Sequence, residues 1–456
     1  MTGFVDSHAH LDDKRFDKDR DEAISRAQEA GVGLIVCPGT DVAGTRAVLD
    51  LARKHECVLA AAGIHPHEAA TADAGALAEI ERLAADARCV AVGEIGLDYH
   101  YDRAPRDVQR KAFEAQLGIA NRLGLPVIVH CRDAFDDCLP LLERFRTRGV
   151  MHCFSGDADT ALRCCDLGMM VSFAGQVTYD KAAALRDAAK AVPAEHLMIE
   201  TDSPYLTPQA VRGKRNEPAH LVHTARFLAD VLGLSVEDVG RITSVNAKVL
   251  FGLAAQNETA VVYPIRDSLY VNLTNRCTNR CVFCPRQRNP RVKGHWLGTE
   301  EESEPSADEV AEAVGDPTRY DEIVFCGFGE PTLRLEVMLD VARRVKERRG
   351  RTRLNTNGQC DLIAGRPTAP LMKGLIDQVS VSLNTADPAQ YEELCRSGRG
   401  KDAFDSVVGF IRSARENGIG VTVTALDYPD VDLDTVRRMA EELGAEFRPR
   451  KYRHLG

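Results

Sequence analysis

The chain of 456 residues has no uncharged run long enough to cross a membrane. The longest, from Leu167 to Tyr179, has thirteen residues, whereas a transmembrane helix needs about 20. The first residues, MTGFVDSHAHLDD, lack the basic start and the apolar stretch of a secretory signal. No low-complexity tract is present, and 44% hydrophobic with 28% charged residues is a globular composition. We therefore expect a folded, cytoplasmic protein of two or three domains with no membrane partner.

A basic excess is also missing, and cysteines are few. Most of the 14 cysteines stand singly in apolar runs, which favours buried thiols and argues against a disulfide framework. The net charge is −10, divided into −8 for the residues before Asn257 and −2 for the rest. Proteins that coat duplex nucleic acid normally carry a basic excess or stripe. A nucleic acid substrate would therefore have to be held locally, by metals and a few cations.

Apolar runs alternate with amphipathic helical patterns through the first 253 residues. Helical patterns such as 107–123 and 180–191 are long enough to connect parallel strands. Eight such strand and helix units in about 250 residues predict a closed (β/α)8 barrel. The eight strands are predicted over residues 4–8, 34–37, 58–64, 90–96, 126–131, 150–154, 170–175 and 197–201.

A second alternation begins after a polar, proline-containing stretch at 256–266, which indicates a linker or a short connecting strand. Its six strand and helix units predict a partial (β/α)6 barrel, so the chain is α/β throughout. We divide it into a domain at 1–255, a linker at 256–266 and a domain at 267–456. The segment 286–305 is longer than most βα loops and is expected to face a substrate. The six strands are predicted over residues 268–274, 322–327, 352–358, 378–383, 420–426 and 445–450.

Six side chains that bind metals stand at the C-terminal ends of the first set of strands, where active sites of (β/α)8 barrels lie. Four imidazoles and two carboxylates are more than one tetrahedral ion needs. Two divalent metals sharing Glu94 is the economical arrangement. The six residues are His8, His10, Glu94, His130, His152 and Asp202.

These residues lie in HxH, GEIGLDYH, PVIVHCRD, MHCFSG and ETDSPYL, in that order. At these motifs the sequence resembles the TatD family of metal-dependent nucleases over residues 3–253. The resemblance implies a TIM barrel of the amidohydrolase type that hydrolyses phosphodiesters, with 3′ to 5′ exonuclease activity on DNA. It implies two ions (Zn, Mn or Mg), with Glu94 and Asp202 as catalytic residues and Asp202 able to take the proton of the attacking water. One ion would be held by His8, His10, Glu94 and Asp202, and the other by Glu94, His130 and His152.

Donors suited to phosphate surround these motifs. Three of them belong to the run RGKRNEP, which is equally compatible with a solvated loop, and Asn216 and Glu217 are compatible with a helix cap near Pro218. The candidate donors are His65, Arg132, Ser203, Tyr205, Arg212, Lys214 and Arg215.

Three cysteines, Cys277, Cys281 and Cys284, follow the first strand of the second half with the spacing CxxxCxxC. Three thiolates on one loop can hold three irons of a 4Fe–4S cluster and leave the fourth iron open. Zinc is the alternative, with His295 as the one nearby candidate for a fourth ligand.

With GFGEPT after the second strand and NTNG after the third, this spacing resembles the radical S-adenosylmethionine (SAM) superfamily over residues 268–450. The resemblance implies that SAM binds the open iron and that an electron donor such as flavodoxin or ferredoxin supplies the electron. By position it implies Phe283 at the adenine and Gly329 and Glu330 at the methionine amino group. Ser382 or Asn384, and also Asn357, would then contact the ribose.

The sequence as a whole predicts a bifunctional enzyme, with DNase-like two-metal hydrolysis in the first half and radical SAM chemistry in the second. One alternative is a small-molecule hydrolase that cleaves an ester or amide in coupling with the radical step, which the acidic balance mildly favours. An alternative of another class is a redox-sensing or interaction protein with a non-catalytic cluster.

Overall fold

The computed structural model describes residues 3–253, 259–287, 290–298 and 301–451. Between residues 253 and 259 the chain divides into two compact units. Each unit has its own sheet and its own apolar core. None of the helices in the described ranges combines the length and the apolar character needed to cross a membrane.

The first unit contains eight parallel strands that are hydrogen-bonded in sequence order. The Ser7 amide donates to the Ile199 carbonyl at 3.4 Å and the Asp202 amide to the His8 carbonyl at 2.9 Å, which joins the last strand to the first. The predicted closed (β/α)8 barrel is therefore confirmed. Its strands are β1 (Phe4–Asp6), β2 (Val32–Pro38), β3 (Val58–Ala62), β4 (Cys89–Asp98), β5 (Val127–Arg132), β6 (Gly149–Met151), β7 (Met169–Phe173) and β8 (Leu197–Ile199).

The helices of this unit lie outside the strands, and one of them closes the lower end of the barrel. Leu250 and Phe251 at the end of that helix, α9, pack with Val5, Ile128 and Met198 in an apolar cluster inside the barrel. The interior is thus filled with side chains, and the functional residues are left at the opposite, C-terminal end. The helices are α1 (Arg20–Glu29), α2 (Val42–Lys54), α3 (Ala74–Ala84), α4 (Arg106–Leu123), α5 (Phe135–Phe145), α6 (Ala158–Asp166), α7 (Ala183–Ala191), α8 (Leu221–Leu232) and α9 (Val236–Leu250).

The second unit contains a seven-stranded sheet in the order β17-β16-β15-β14-β13-β10-β9. Six strands are parallel, as predicted, and β9 adds an antiparallel strand at the edge. Residues 262–265 of the predicted linker are this strand, so the connecting-strand alternative holds there. The strands are β9 (Val262–Ile265), β10 (Ser268–Val271), β13 (Glu322–Phe325), β14 (Thr352–Thr356), β15 (Gln378–Ser382), β16 (Gly420–Asp427) and β17 (Glu446–Lys451).

The helices of the second unit pack on one face of this sheet. The long segment 286–305 forms a small hairpin of β11 (Arg291–Val292) and β12 (His295–Trp296) in its described part. The helices are α10 (Ala307–Val314), α11 (Leu335–Glu347), α12 (Cys360–Ala364), α13 (Ala369–Met372), α14 (Pro388–Cys395), α15 (Lys401–Glu416) and α16 (Leu433–Glu442).

The strand β4 deviates from regular pairing where it carries a predicted site residue. Its register against β5 shifts between Val92 and Ile95, so that Gly93 and Glu94 together oppose one residue of β5. Such bulges re-aim side chains next to active sites. Two residues further on, Gly96 has φ +142°, and a Cβ there would lie 1.9 Å from the His130 carbonyl oxygen.

We predict that Gly96→Ala destabilises the barrel by roughly 3 kcal/mol, because the new methyl would force β4 and β5 apart and strain the backbone. Thermal unfolding of the full chain, followed by circular dichroism, measures the effect. Gly118→Ala in α4 is the control, since the nearest heavy atom to its Cβ is the end of the flexible Arg122 side chain at 3.5 Å. A helical glycine replaced by alanine should gain about 0.5–1 kcal/mol. Equal stability of the two variants would contradict the close approach of β4 and β5.

Candidate functional site

Six predicted metal-binding side chains meet at the C-terminal end of the barrel, called the mouth below. His8 and His10 follow β1, and Glu94 lies at the bulge of β4. The others are His130 in β5, His152 directly after β6 and Asp202 after β8. Parallel strands closed into a barrel present their carboxyl ends on one rim, which is why residues far apart in sequence converge there.

The Glu94 carboxylate lies at the centre of this group. Its Oε2 is 3.4 Å from His8 Nε2 and 3.6 Å from His10 Nε2. The same two nitrogens lie 3.8 and 3.5 Å from Asp202 Oδ1. One side of the mouth therefore presents two imidazoles between two carboxylates, a donor set that can hold a divalent ion.

The second oxygen of Glu94 faces a different set of imidazoles. Oε1 lies 2.9 Å from His130 Nδ1, 3.2 Å from His152 Nε2 and 3.4 Å from His65 Nε2. His65, His130 and Glu94 form a further group that can hold an ion. His65 was predicted as a phosphate donor, and the structure places it among the candidate metal ligands.

Both carboxylates at the centre favour the ionised form although they are buried. Burial raises the pKa of Glu94, but the imidazoles around it outweigh this and hold the pKa well below its usual range. Burial likewise raises the pKa of Asp202, and its hydrogen bond with His10 keeps the pKa below the ordinary value.

The imidazoles of the mouth differ in protonation. Burial lowers the pKa of His8, and it lowers that of His65 to about 4. Burial also acts to lower the pKa of His10, but the hydrogen bond with Asp202 and the charge of Glu94 raise it to about 9. Before metal binds, some of the donor nitrogens therefore hold protons while others are already free.

Two further carboxylates contact the imidazole nitrogens that face away from Glu94, and the sequence analysis missed both. Asp98 Oδ2 lies 3.0 Å from His130 Nε2 and 3.0 Å from His67 Nε2. Glu200 Oε1 lies 2.9 Å from His152 Nδ1. Carboxylates in this position fix the orientation of metal-binding histidines. The sequence signal for both was an even spacing along the strand from a predicted ligand, since Asp98 stands four residues after Glu94 and Glu200 stands two before Asp202.

An open cleft of about 720 Å³ lies over these residues. Of the predicted phosphate donors, His65, Arg132 and Tyr205 line it. Ser203 is fully buried away from the cleft lining. Asn216 is buried as well, and its amide donates to the Thr201 and Tyr205 carbonyls at 2.9 and 2.6 Å, so it fastens this loop.

None of the basic residues of the run RGKRNEP after β8 lines the cleft. Arg215 pairs with Asp19 at 2.6 Å and with Glu217 at 3.3 Å, and its role as a phosphate donor stays a prediction. Arg212 stacks on Tyr179 with 4.3 Å between the guanidinium carbon and the ring centre. Lys214 is exposed.

Two exposed tyrosines flank the cleft, each with an arginine over its ring. Tyr101 is 53% exposed, and the guanidinium carbons of Arg132 and Arg103 lie 5.0 and 5.7 Å from its ring centre. Tyr205 is 47% exposed, with that of Arg15 at 4.2 Å. The sequence analysis missed Tyr101, Arg103 and Arg15, because a tyrosine or arginine in a loop has no distinguishing pattern.

In the second unit, the loop with Cys277, Cys281 and Cys284 follows β10, and all three cysteines are half-buried. Neighbouring strand ends fasten the loop. The Asn357 amide donates to Thr278 Oγ1 at 2.8 Å, and the Gln359 amide donates to Asn279 Oδ1 at 2.8 Å. The three thiols are therefore presented by a backbone that is fixed from outside the loop.

A fourth thiol, Cys395 at the end of α14, lies beside the loop although it is 111 residues beyond the last cysteine of the motif. The amides of Arg280 and Val282 donate to the carbonyls of Cys395 and Leu394 at 2.9 Å each. The hydrogen bond from Cys281 to the Cys395 sulfur raises the pKa of Cys281 and lowers that of Cys395. Only the fold brings these thiols together, so the spacing of the cysteines gave no signal of it.

The segment after β13 packs tightly under the cysteine loop. A Cβ on Gly329 would lie 2.2 Å from the Thr274 carbonyl oxygen, so only glycine permits this approach. The Glu330 carboxylate accepts hydrogen bonds from the Thr356 hydroxyl at 2.9 Å and from the backbone N–H of Asn357 at 2.7 Å. The Thr332 hydroxyl also donates to it. Glu330 is 2% exposed. It therefore joins two strand ends inside the protein, and its contact with the methionine amino group stays a prediction.

The other predicted cofactor contacts lie around the same loop. The Phe283 ring packs against Tyr428 with 5.6 Å between centres. Asn357 contacts the loop directly, with its amide 3.8 Å from Cys277 Sγ. Ser382 is half-buried at the end of β15, and Asn384 has φ +65° with its amide 3.5 Å from Cys395 Sγ.

Comparison with known proteins assigns both units to families. The profile of the family described as TatD related DNase matches residues 5–252, which is more than half of the chain. The chain belongs to the TatD family. The profile of the radical SAM superfamily matches residues 271–443, so the TatD barrel is fused to a radical SAM domain.

The TatD barrel has relatives of nearly its own length. The uncharacterized metal-dependent hydrolase YabD of Bacillus subtilis is 38% identical over 249 residues, covering 54% of this chain and 98% of that protein. The 3′-5′ ssDNA/RNA exonuclease TatD of Shigella flexneri is 37% identical over 257 residues, covering 55% and 99%. The crystal structure of the TatD homologue YjjV from Escherichia coli K12 is similar with a TM-score of 0.53 and 32% identity, covering 55% and 98%.

These memberships make the chain an enzyme with a metal-dependent hydrolase of a nuclease family and a radical SAM domain. They imply divalent metals in the TatD barrel and a 4Fe–4S cluster with SAM in the second unit.

We predict that metal binding to the TatD barrel releases at least one proton at pH 7.5. In the metal-free protein His10 has a pKa of about 9, so it holds a proton at pH 7.5. An imidazole must lose that proton to bind a metal. Affinity for Mn²⁺ should therefore rise with pH through the range in which His10 loses its proton, and the raised pKa of His152 acts in the same direction. Isothermal titration calorimetry in Hepes and in Tris measures the release, because the apparent enthalpy then differs by the ionisation enthalpy of the buffer. Identical enthalpies in both buffers would contradict the protonation of His10.

Proposed function

We propose that the TatD barrel hydrolyses phosphodiester bonds of single-stranded nucleic acid with two divalent ions, and that the second unit performs radical SAM chemistry. The observation that carries the first part is the position of Glu94, whose two oxygens face two separate sets of imidazoles. A carboxylate in that position can bridge two ions.

The donor set of the mouth fits such a pair. His8, His10, Asp202 and Glu94 Oε2 would hold one ion, and His130, His152 and Glu94 Oε1 the other, with His65 beside it. Bound there, the ions would acidify water and neutralise charge on the phosphate. Asp98 and Glu200 fix the rings of His130 and His152 from behind.

Proton transfer is assigned to Asp202. Its carboxylate lines the cleft, and its pKa lies below the ordinary value, so it is ionised at neutral pH and can accept a proton from water. Arg132, also on the cleft lining, donates to phosphate oxygens.

The surroundings of the cleft favour a single-stranded nucleic acid over a small ester or amide. The exposed rings of Tyr101 and Tyr205 offer stacking surfaces on either side of the metal groups, and the arginines beside them add positive charge. Unpaired bases stack on aromatic rings without regard to sequence. The name of the Shigella relative, an ssDNA/RNA exonuclease, supports the same substrate class.

We predict that Glu94→Gln lowers kcat on a single-stranded oligonucleotide by far more than 100-fold with Mn²⁺ or Mg²⁺, because both ions lose a charged ligand. Glu200→Gln, which touches only one imidazole, should cost roughly 10- to 100-fold, the range typical of partners behind metal ligands. The control is Glu68→Gln, since Glu68 lines the cleft but is exposed, and it should retain near wild-type activity. Retention of activity in Glu94→Gln would overturn the two-metal assignment. Cleavage of ester or amide reporters with none of oligonucleotides would overturn the substrate class.

In the second unit the cysteine loop fits a 4Fe–4S cluster. Three half-buried thiols stand on one loop, and Gly329 leaves space for the Thr274 carbonyl beneath them. Such a cluster, with SAM on its open iron, supplies a one-electron reduction that cleaves SAM and starts radical chemistry. The protein's part is to hold the loop, through Asn357 and Gln359. An external donor of the flavodoxin or ferredoxin type would provide the electron.

We predict about four irons and four sulfides per chain after anaerobic reconstitution, and 5′-deoxyadenosine when dithionite and SAM are added. Cys281→Ala should lose both, since two remaining thiolates hold a cluster poorly. Cys360→Ala should lose neither, because Cys360 lies in α12 and its thiol contacts Thr356. Tight binding of one zinc by the three cysteines without formation of 5′-deoxyadenosine would favour the zinc alternative. A cluster without SAM cleavage would favour the redox-sensing alternative.

A further inference from the structure

The cysteine loop of the second unit contains three arginines, and their surroundings differ. In the run TNRCTNRCVFCPR, Arg276 and Arg280 each stand directly before a cysteine, and Arg286 stands two residues after the last one. An arginine side chain stays charged at every pH at which a protein is folded. The contacts of each guanidinium group therefore decide which of the three charges acts on the thiols.

The charge of Arg276 is neutralised by carboxylates from outside the loop. Its guanidinium group lies 2.7 Å from the Glu301 carboxylate and 2.8 Å from the Glu304 carboxylate. Arg334 also pairs with Glu304, at 3.1 Å. Arg276 therefore serves to fasten the end of the long segment 286–305 to the loop.

Arg280 is exposed, and its contact with the rest of the unit is made by its backbone. The Arg280 amide donates to the Cys395 carbonyl at 2.9 Å. Water and dissolved ions screen a charge at such a position. The Arg280 guanidinium group therefore has little influence on the interior of the loop.

Arg286 is turned into the loop. It is half-buried, and its guanidinium group donates to the Asn275 carbonyl at 3.1 Å and to the Asn279 carbonyl at 3.4 Å. These carbonyls lie two residues before and two residues after Cys277, so the guanidinium group bridges the turn that carries this thiol. Among the residues that the structure describes, no carboxylate forms an ion pair with Arg286. Its charge is thus held in place by two neutral carbonyls and remains uncompensated.

The charge of Arg286 reaches all three thiols of the loop. Burial raises the pKa of Cys277 and Cys284, and the charge of Arg286 acts against both rises. The same charge acts on Cys281, whose pKa is raised chiefly by the hydrogen bond with Cys395. Arg286 is therefore close to each of the three sulfur atoms that would bind iron.

We propose that Arg286 is a positioning residue that raises the reduction potential of the 4Fe–4S cluster, through a fixed positive charge beside its three thiolates. The inference rests on the cluster proposed above. Reduction brings one electron from the external donor, and so one more negative charge, to a group that already contains three thiolates. A fixed cation stabilises this more negative form more than the oxidised form. Arg286 thus makes the electron transfer that precedes SAM cleavage more favourable.

The test uses the full chain, reconstituted anaerobically to about four irons per chain and kept without SAM. A redox titration with dithionite, followed by electron paramagnetic resonance of the reduced cluster, measures the midpoint potential. We expect Arg286→Gln to shift the redox equilibrium roughly tenfold toward the oxidised form, which is a potential about 59 mV more negative for one electron. An unchanged potential in this variant would overturn the proposal.

The matched control is Arg280→Gln, which removes the same charge from the same loop at an exposed position. Its redox equilibrium should stay within roughly threefold of that of the wild type, because solvent screens the charge of Arg280. Equal shifts in Arg280→Gln and Arg286→Gln would overturn the proposal, since the net charge of the loop and not the position of Arg286 would then set the potential.

A third variant, Arg286→Lys, separates the charge from the two hydrogen bonds, and it decides the matter if Arg286→Gln takes up too little iron. Lysine keeps the positive charge but lacks the planar, forked donor group of arginine. We expect it to bind a full cluster with a redox equilibrium within roughly threefold of the wild type. Poor iron uptake, or a tenfold shift, in Arg286→Lys would overturn the proposal, because the hydrogen bonds and not the charge would then be essential.

Calorimetric titration of the same preparations with SAM tests whether Arg286 binds the cofactor instead. Weaker SAM binding in Arg286→Gln, together with an unchanged potential, would overturn the proposal and assign Arg286 to the SAM carboxylate. A wild-type chain that takes up no 4Fe–4S cluster would refute the proposed radical function and this inference with it. A wild-type cluster whose potential does not respond to Arg286→Gln would refute only the role of Arg286.

Discussion

The TatD barrel depends on the burial of one ionised carboxylate. The side chain of Glu94 is 3% exposed, and placing such a charge inside a protein costs several kcal/mol unless partners compensate for it. Imidazoles from four other segments supply that compensation. The segments after β1, β3 and β6 and the strand β5 must therefore all reach the rim at the same level. The bulge in β4 and the glycine at position 96 serve the same requirement, because they turn Glu94 into the mouth while β4 stays paired with β5.

The charged groups of the barrel therefore lie at one end, and an apolar cluster that stabilises the barrel lies at the other. Asp98 and Glu200 bring two more carboxylates to the mouth, which then holds more buried acids than a folded core tolerates without cations. Before metal binds, protonated imidazoles such as His10 provide the positive charge. Ions that replace these protons would keep the balance of charge. The apolar cluster around Leu250 and Phe251 at the lower end contains no such groups and stabilises the closed barrel independently of the site.

The strands, and the polar residues at their C-terminal ends, could be predicted from the sequence. All fourteen predicted parallel strands are present, because buried parallel strands read as short apolar runs. His8, Glu94 and His152 were found for the same reason, since a polar residue at the end of such a run has few structural uses. Contacts between distant segments could not be predicted from the sequence. Arg215 is neutralised by Asp19, 196 residues away, and Glu330 is occupied by Asn357, and no local pattern carries either contact.

The closed barrel and the open sheet differ in where each can hold a ligand. Eight closed strands leave an interior just wide enough for side chains, so the chemistry of the TatD barrel has to take place on its rim, where a ligand of any length can lie across the cleft. Six parallel strands with an antiparallel edge do not close, and the inner face of the second sheet need not be filled. Its polar residues, such as Arg353, Gln378 and Thr422, are compatible with that opening, because they would be costly in a packed apolar interior but can be hydrated on an open face. The closed barrel therefore holds a ligand at its rim, whereas the open sheet leaves part of its inner face accessible.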